Sequence, residues 1–186
     1  MTLTKNMVKL EAGMTFTFKG MQWIILDPDH EGGVFAIMKT VWKDTPFNSA
    51  ENNADWSKST LRQDIIKNLL PILGEKNLLP HMTDMVCDNG DDRLGKVEDK
   101  VFILSCDEYR KYRKYVPLFE EWMWTCTPWY VSPDSGNAHI PRNVGDGGHI
   151  YGYNAIYSCG AVPACIFNPI IFESAPTGAA EMIEEG

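Results

Sequence analysis

The sequence predicts a single α+β domain, on three observations. An alternating, apolar N-terminal third reads as a β meander, two helix signatures occupy the middle, and short aromatic segments separated by Gly, Pro and Asn turns fill the remainder. Its 186 residues, 44% of them hydrophobic, suffice for one domain with its own core. Charged residues are 23% of the chain, which excludes wholesale disorder.

Strands are expected over residues 14–18, 23–26 and 34–38, broken by Lys19-Gly20 and by the Asp27-Pro-Asp-His-Glu-Gly-Gly33 cluster. Residues 43–57 read as a polar loop. The spacing then predicts a helix from about Ser59 to Leu70, capped by Ser57, Ser59 or Thr60. Its apolar face is Leu61, Ile65, Leu69, Ile66 and Leu70, and Pro71 and Gly74 end it. A short strand over 101–104 leads into a second helix. Ser105-Cys-Asp-Glu108 is a capping box, and this helix runs to about Lys114, before Pro117. From Trp122 onward several short strands and long loops are expected. The chain divides into an N-terminal segment 1–11, one domain over 12–172 and a mobile acidic tail over 173–186.

Seventeen Lys and Arg against twenty-five Asp and Glu give a net charge of −8, which disfavours phosphate backbones and anionic lipid as partners. No apolar run approaches the roughly 18–20 residues of a spanning helix. The first residues lack a signal-peptide stretch, so synthesis in the cytoplasm without membrane insertion is expected. The five cysteines (87, 106, 126, 159 and 165) are odd in number and show no Cys-x-x-Cys spacing, as befits buried free thiols.

Familiar reaction chemistry is thinly represented. Gly145-Asp-Gly-Gly148 lacks the Lys-Ser/Thr of a phosphate loop, and Asp88-Asn-Gly-Asp-Asp92 matches a calcium loop in composition only. His30, His81, His139 and His149 show no paired ligand spacing, so no metal is expected. A nucleophile elbow is missing. A Cys159/His149 pair is conceivable, but packing of Cys159 within a strand is the simpler expectation. No cofactor and no catalytic residue are assigned.

Residues 122–171 are nearly uncharged, yet dense in Gly, Tyr, Trp, Asn and Ser. Tyr offers contact area with few rotors, and Asn and Ser offer adaptable hydrogen bonds, as in antibody-like binding surfaces. Scarcity of Lys and Glu is typical of interface cores. Half-buried Tyr on the Gly-rich loops of a β fold would give the same composition.

Two segments carry a resemblance. Trp56-Ser-Lys-Ser-Thr-Leu-Arg62, and Asp99-Lys-Val-Phe-Ile-Leu-Ser105 leading into Cys-Asp-Glu-Tyr-Arg-Lys-Tyr112, resemble signatures of an uncharacterised bacterial and phage domain family. That family has a C-type-lectin-like, formylglycine-generating-enzyme-like fold. Trp122-Met-Trp-Thr-Cys-Thr-Pro128 is similar to its Trp-Trp-Leu-Arg-Ser/Thr-Pro segment, and Gly160-Ala-Val-Pro-Ala164 to its closing Gly-Val-Arg-Pro-Ala. The family Arg is lost in both, at Thr125 and Val162.

The resemblance implies a C-type-lectin-like fold with two central helices and short, loop-rich antiparallel strands. It includes variable proteins of diversity-generating retroelements, in which codons before the closing motif are rewritten. By that likeness the chain is expected to be a non-enzymatic receptor- or adhesin-type protein, displayed on a virion or cell surface and recognising a host or neighbouring cell through a protein or glycan. Expected contact residues are Trp129, Tyr130, Asn137, His139, Asn143, His149, Tyr151, Tyr153, Asn154 and Tyr157, with Trp56, Leu61, Arg62, Phe102, Leu104, Trp122 and Trp124 as framework. The calcium-ligand triplets of lectins are missing. A copper enzyme using Cys159 and Cys165, or a decoration protein of a phage particle, are the alternatives.

Overall fold

The computed structural model describes residues 9–173 and 181–183, and is a mixed α+β arrangement built mostly of sheet. Three consecutive strands, β1 (Thr15–Phe18), β2 (Met21–His30) and β3 (Gly33–Met38), form the expected meander. Two-residue turns join them. Lys19 and Gly20 have φ of 53° and 76°, and Glu31 and Gly32 have 51° and 80°, the doubly positive geometry that follows the twist of a hairpin. The second turn is therefore tighter than the 27–33 cluster suggests. Strand β2 continues through Asp27, Pro28 and Asp29, and register shifts there absorb the missing Pro donor.

Within the expected 43–57 loop, Lys43–Pro46 forms strand β4 and Trp56–Lys58 a 3₁₀ turn capped by Asp55. Helix α1 (Thr60–Asp64), capped by Ser59, passes through a π-helical turn (Ile65–Leu69) into α2 (Leu70–Leu73). Pro71 does not end this stretch. The wider turn before it removes the clash between its ring and the carbonyl four residues back. It also keeps Leu61, Ile65, Leu69 and Leu73 in one buried row, whereas an unbroken α-helix would rotate that row by about 40° per step. Ile66, expected on the apolar face, is exposed in consequence.

Strands β5 (Leu78–Leu79), β6 (His81–Asp84), β7 (Lys96–Asp99) and β8 (Phe102–Ile103) follow, then α3 (Cys106–Tyr112). The capping box is complete: the Ser105 hydroxyl accepts from the Glu108 amide at 3.1 Å, and Glu108 accepts from the Ser105 amide at 2.8 Å. The last third supplies β9 (Met123–Val131), β10 (Ala138–Val144), β11 (Ile150–Gly152), β12 (Ser158–Ala161) and β13 (Pro163–Phe167). Glu181–Ile183, within the segment expected to be a mobile tail, forms β14 and pairs antiparallel with β1.

One sheet has the order β14-β1-β2-β3-β13-β5, with β8 also on β13; a second runs β11-β10-β9-β12-β4; β6 and β7 form a hairpin. The chain crosses from the second sheet to the first at buried Val162, so the Gly160–Ala164 motif is the seam between them. Both positions that lose the family Arg, Thr125 and Val162, are buried. The Thr125 hydroxyl donates to the Arg142 carbonyl at 2.8 Å. Among the described residues, no helix is long and apolar enough to cross a membrane.

The two resembling segments meet at one buried carboxylate. Asp99 accepts from the Trp56 indole at 2.9 Å, from Arg62 Nε at 2.8 Å and from the Thr83 hydroxyl at 3.3 Å, with Arg62 Nη2 also 2.8 Å away. Asp99→Ala leaves that guanidinium and indole without their acceptor. It should lower unfolding stability by about 3–5 kcal/mol, read as a lower urea midpoint at unchanged slope.

Candidate functional site

Strand β9 carries the inner and outer parts of the aromatic region on one backbone. Trp124 is buried, and its indole donates to the Thr45 carbonyl at 2.8 Å. Trp122, expected to share a buried face with Trp124, lies just before the strand and is exposed. Period-two alternation does not reach it, and it joins the outer surface instead.

Two separate groups of rings are exposed in this region, and a Cβ on Gly152 would point toward Trp129, the side of β11 opposite to Tyr151. In the first, Trp122 stacks on Tyr151 with centroids 5.2 Å apart and planes 14° from parallel. Tyr153 sits edge-on to Trp122 at 6.0 Å and against Tyr157 at 5.2 Å, and His149 meets Tyr151 at 6.3 Å. In the second, Tyr130 stacks on His139 at 5.3 Å, Trp129 meets Tyr130 at 6.1 Å, and the Arg142 guanidinium lies 5.4 Å over Trp129. Trp129, Tyr151, Tyr153 and Tyr157 are 45%, 44%, 38% and 52% exposed, large values for rings that touch one another.

Glycines make room for these rings. A Cβ on Gly145 would come within 2.9 Å of the Tyr151 ring, and one on Gly152 within 2.8 Å of Ile140 Cγ2 and 3.2 Å of Arg142 Nη1. Ile140, opposite Trp129 in the β9–β10 register, is held at φ 53°. That conformation is an outlier for a β-branched residue. It adjoins the register shift between Pro141 and Asn143, which re-aims the strand.

Nine of the ten expected contact residues lie at least partly at the surface. Asn137 and His149 are exposed, while His139 and Asn154 are half-buried. Asn154 also shapes its own turn, its side chain accepting from the Ile156 amide at 3.2 Å. Asn143 is the exception and is corrected: it is 0% exposed, and its amide lies 3.6 Å from the Cys159 sulfur. Strand pairing sets it between Trp124 and Tyr151 in the sheet. Sequence reasoning missed Trp122 and Ile156, which is also exposed beside this face. Their position within a ring-rich, charge-poor run was the available signal.

The rim is acidic. A cavity of about 310 Å³ at the foot of the first group is lined by Asp44, Glu121, Trp122, Tyr153, Ser158 and Cys159. On another side, a cavity of about 480 Å³ borders the start of α3. Its charges are already matched, Asp84 with Lys96 at 2.8 Å and Asp88 with Arg110 at 3.2 Å. The histidines are not all dispersed, as their spacing suggests: His30 and His81 come together with centroids 6.2 Å apart.

All five cysteines are free and buried. Cys159 and Cys165 lie on strands of different sheets. Burial pushes the Cys159 thiol up to about 11 and Cys165 well above its ordinary value, which disfavours the thiolates that a copper pair would supply. The chain matches no family model, no curated protein and no solved structure.

A thiol raised to about 11 is ionised in about one molecule in ten thousand at neutral pH. Native protein should therefore resist a thiol reagent at neutral pH, while denatured protein titrates all five thiols. As pH rises, labelling should begin at Cys87 and Cys159, both held near 11, with Cys126 and Cys165 silent until unfolding. Mass mapping of the modified peptides checks the order.

Proposed function

We propose that the chain is a non-enzymatic binding protein. Its docking face centres on the first ring group, Trp122, Tyr151, Tyr153 and Tyr157. The observation that carries this reading is a set of exposed, mutually touching rings lying outside the buried core cluster. Exposed aromatic clusters of this kind are where binding energy concentrates. A sheet-rich α+β arrangement is compatible with a C-type-lectin-like scaffold, and the resembling segments suit a retroelement-diversified variable protein.

The partner is a protein on the surface of a host or neighbouring cell. Flat, ring-lined surfaces with Asn and Ser nearby suit protein epitopes. The acidic pair Asp44 and Glu121 at the foot of this face favours a partner bearing Lys or Arg, whose cations also sit well over Trp and Tyr faces. Display on a virion or cell is the setting in which such a face operates.

The test compares the fluorescently labelled chain with its Tyr151→Ala/Tyr153→Ala/Tyr157→Ala variant on a panel of bacterial cells. The melting temperature should fall by no more than about 10 °C, because the lost rings are about half exposed and lie outside the main core cluster. Cell binding should fall about 30-fold or more. It should also vanish when the cells are shaved with protease. Binding that survives protease but not periodate would make the ligand a glycan and overturn the protein assignment. A variant that binds as well as the parent, or melts far earlier, would overturn the docking face itself.

A further inference from the structure

Away from the aromatic face, the end of β2 and the start of β6 bring together His30, Glu31 and His81. One ligand atom of each lies within 4.8 Å of the other two. Each imidazole already uses one nitrogen. His81 Nε2 is 3.0 Å from a Glu108 carboxylate oxygen, and His30 Nδ1 is 3.4 Å from the Tyr112 hydroxyl and 3.7 Å from Asp27 Oδ2. The opposite nitrogens, His81 Nδ1 and His30 Nε2, are buried and have no hydrogen-bond partner. The His81 side chain is only 10% exposed, so water does not readily serve the nitrogen it turns inward.

Buried imidazole nitrogens normally find a partner, and two unpartnered ones at one place call for an explanation. The far-side contacts supply it. A carboxylate that accepts a proton from one ring nitrogen fixes the tautomer, leaves a lone pair on the other nitrogen and raises its basicity, as at metal-bound histidines. Glu108 does this for His81. For His30 the Tyr112 hydroxyl takes this place, itself donating to Asp27 at 3.1 Å. The rings are also held in orientation: His81 stacks on Phe102 at 4.1 Å and 20°, and His30 packs on Phe35 at 4.9 Å.

The geometry points to a divalent transition-metal site in which His30 Nε2, His81 Nδ1 and the Glu31 carboxylate bind one zinc-class ion. Two imidazoles and one carboxylate suit zinc and its neighbours better than calcium or magnesium, which prefer all-oxygen shells. Zinc–nitrogen bonds of about 2.0–2.1 Å keep tetrahedral ligand atoms about 3.3 Å apart, so the three close in on the order of an ångström on binding. Glu31 can follow, because it is exposed at the tip of the β2–β3 hairpin. Three protein ligands leave a fourth position to solvent. The site rests on contacts separate from the docking face, so either proposal stands if the other fails.

Full-length protein, stripped with chelator and titrated with zinc chloride by calorimetry, provides the test. One equivalent should bind with a dissociation constant of about micromolar or tighter, raising the melting temperature as free zinc increases. His30→Ala and His81→Ala should each weaken binding about 100-fold or more. Glu108→Gln, which touches no metal, should weaken it about 10–100-fold, and His139→Ala should leave it unchanged. Should either histidine variant fail to fold by circular dichroism, cobalt(II) added to the parent chain decides. A tetrahedral visible spectrum without a thiolate-to-cobalt band is expected. No zinc binding, full retention in a folded histidine variant, or a thiolate band would each overturn the assignment.

Discussion

A carboxylate as deeply buried as Asp99 is tolerable only if its oxygens are fully engaged, and here an indole, a guanidinium and a hydroxyl from three other elements supply the donors. The arrangement fixes the 3₁₀ turn, α1 and the β6–β7 hairpin relative to one another, because each must place its donor at one point. From that point a row of rings runs outward. Trp56 meets Phe47 at 5.8 Å, Phe47 meets Trp124 at 5.8 Å, and Trp124 approaches Tyr153 at 6.4 Å. The innermost member hydrogen-bonds a buried anion, while the outermost stands in solvent. The inner edge of the exposed aromatic group is thereby tied to the buried core.

This connection explains how one strand can serve two purposes. The Trp124 end of β9 is pinned by its indole bond to Thr45 and by pairing with Asn143, whereas the Trp129–Tyr130 end projects both rings. The register shift in β10 lies between these ends, and the strained Ile140 sits at the outer one. Buried Asn143 belongs to the framework, with its amide turned to the Cys159 sulfur. The His30–His81 cluster sits at the hairpin side of the other sheet, served by α3 through Glu108 and Tyr112. The two regions share a core and little else.

Much of the architecture was legible wherever the decisive interaction is local. The capping box at Ser105, the Lys19-Gly20 turn, the three meander strands and the buried row from Leu61 depend on residues within a few positions of one another. Most of the candidate face was legible too, since exposed rings in a charge-poor run leave a compositional trace. Misplacements occurred where period or spacing was extended past its range. Trp122 falls outside the strand that alternation assumed, Ile66 is turned outward by a π-helical turn, and Pro71 continues a helix it was expected to stop.

Taken alone, the sequence determined the α+β class, the helix starts, the tight turns and the ring-rich segment, because backbone propensity, capping and alternation are properties of neighbouring residues. Tertiary structure alone decided which of those rings meet, that Asn143 faces inward, that Asp99 joins two distant segments, and that His30 and His81 come together, each with one buried unpartnered nitrogen. These are contacts between residues far apart in the chain. Their distances are set by sheet order and by close packing of the core, and neither can be read from the spacing of letters.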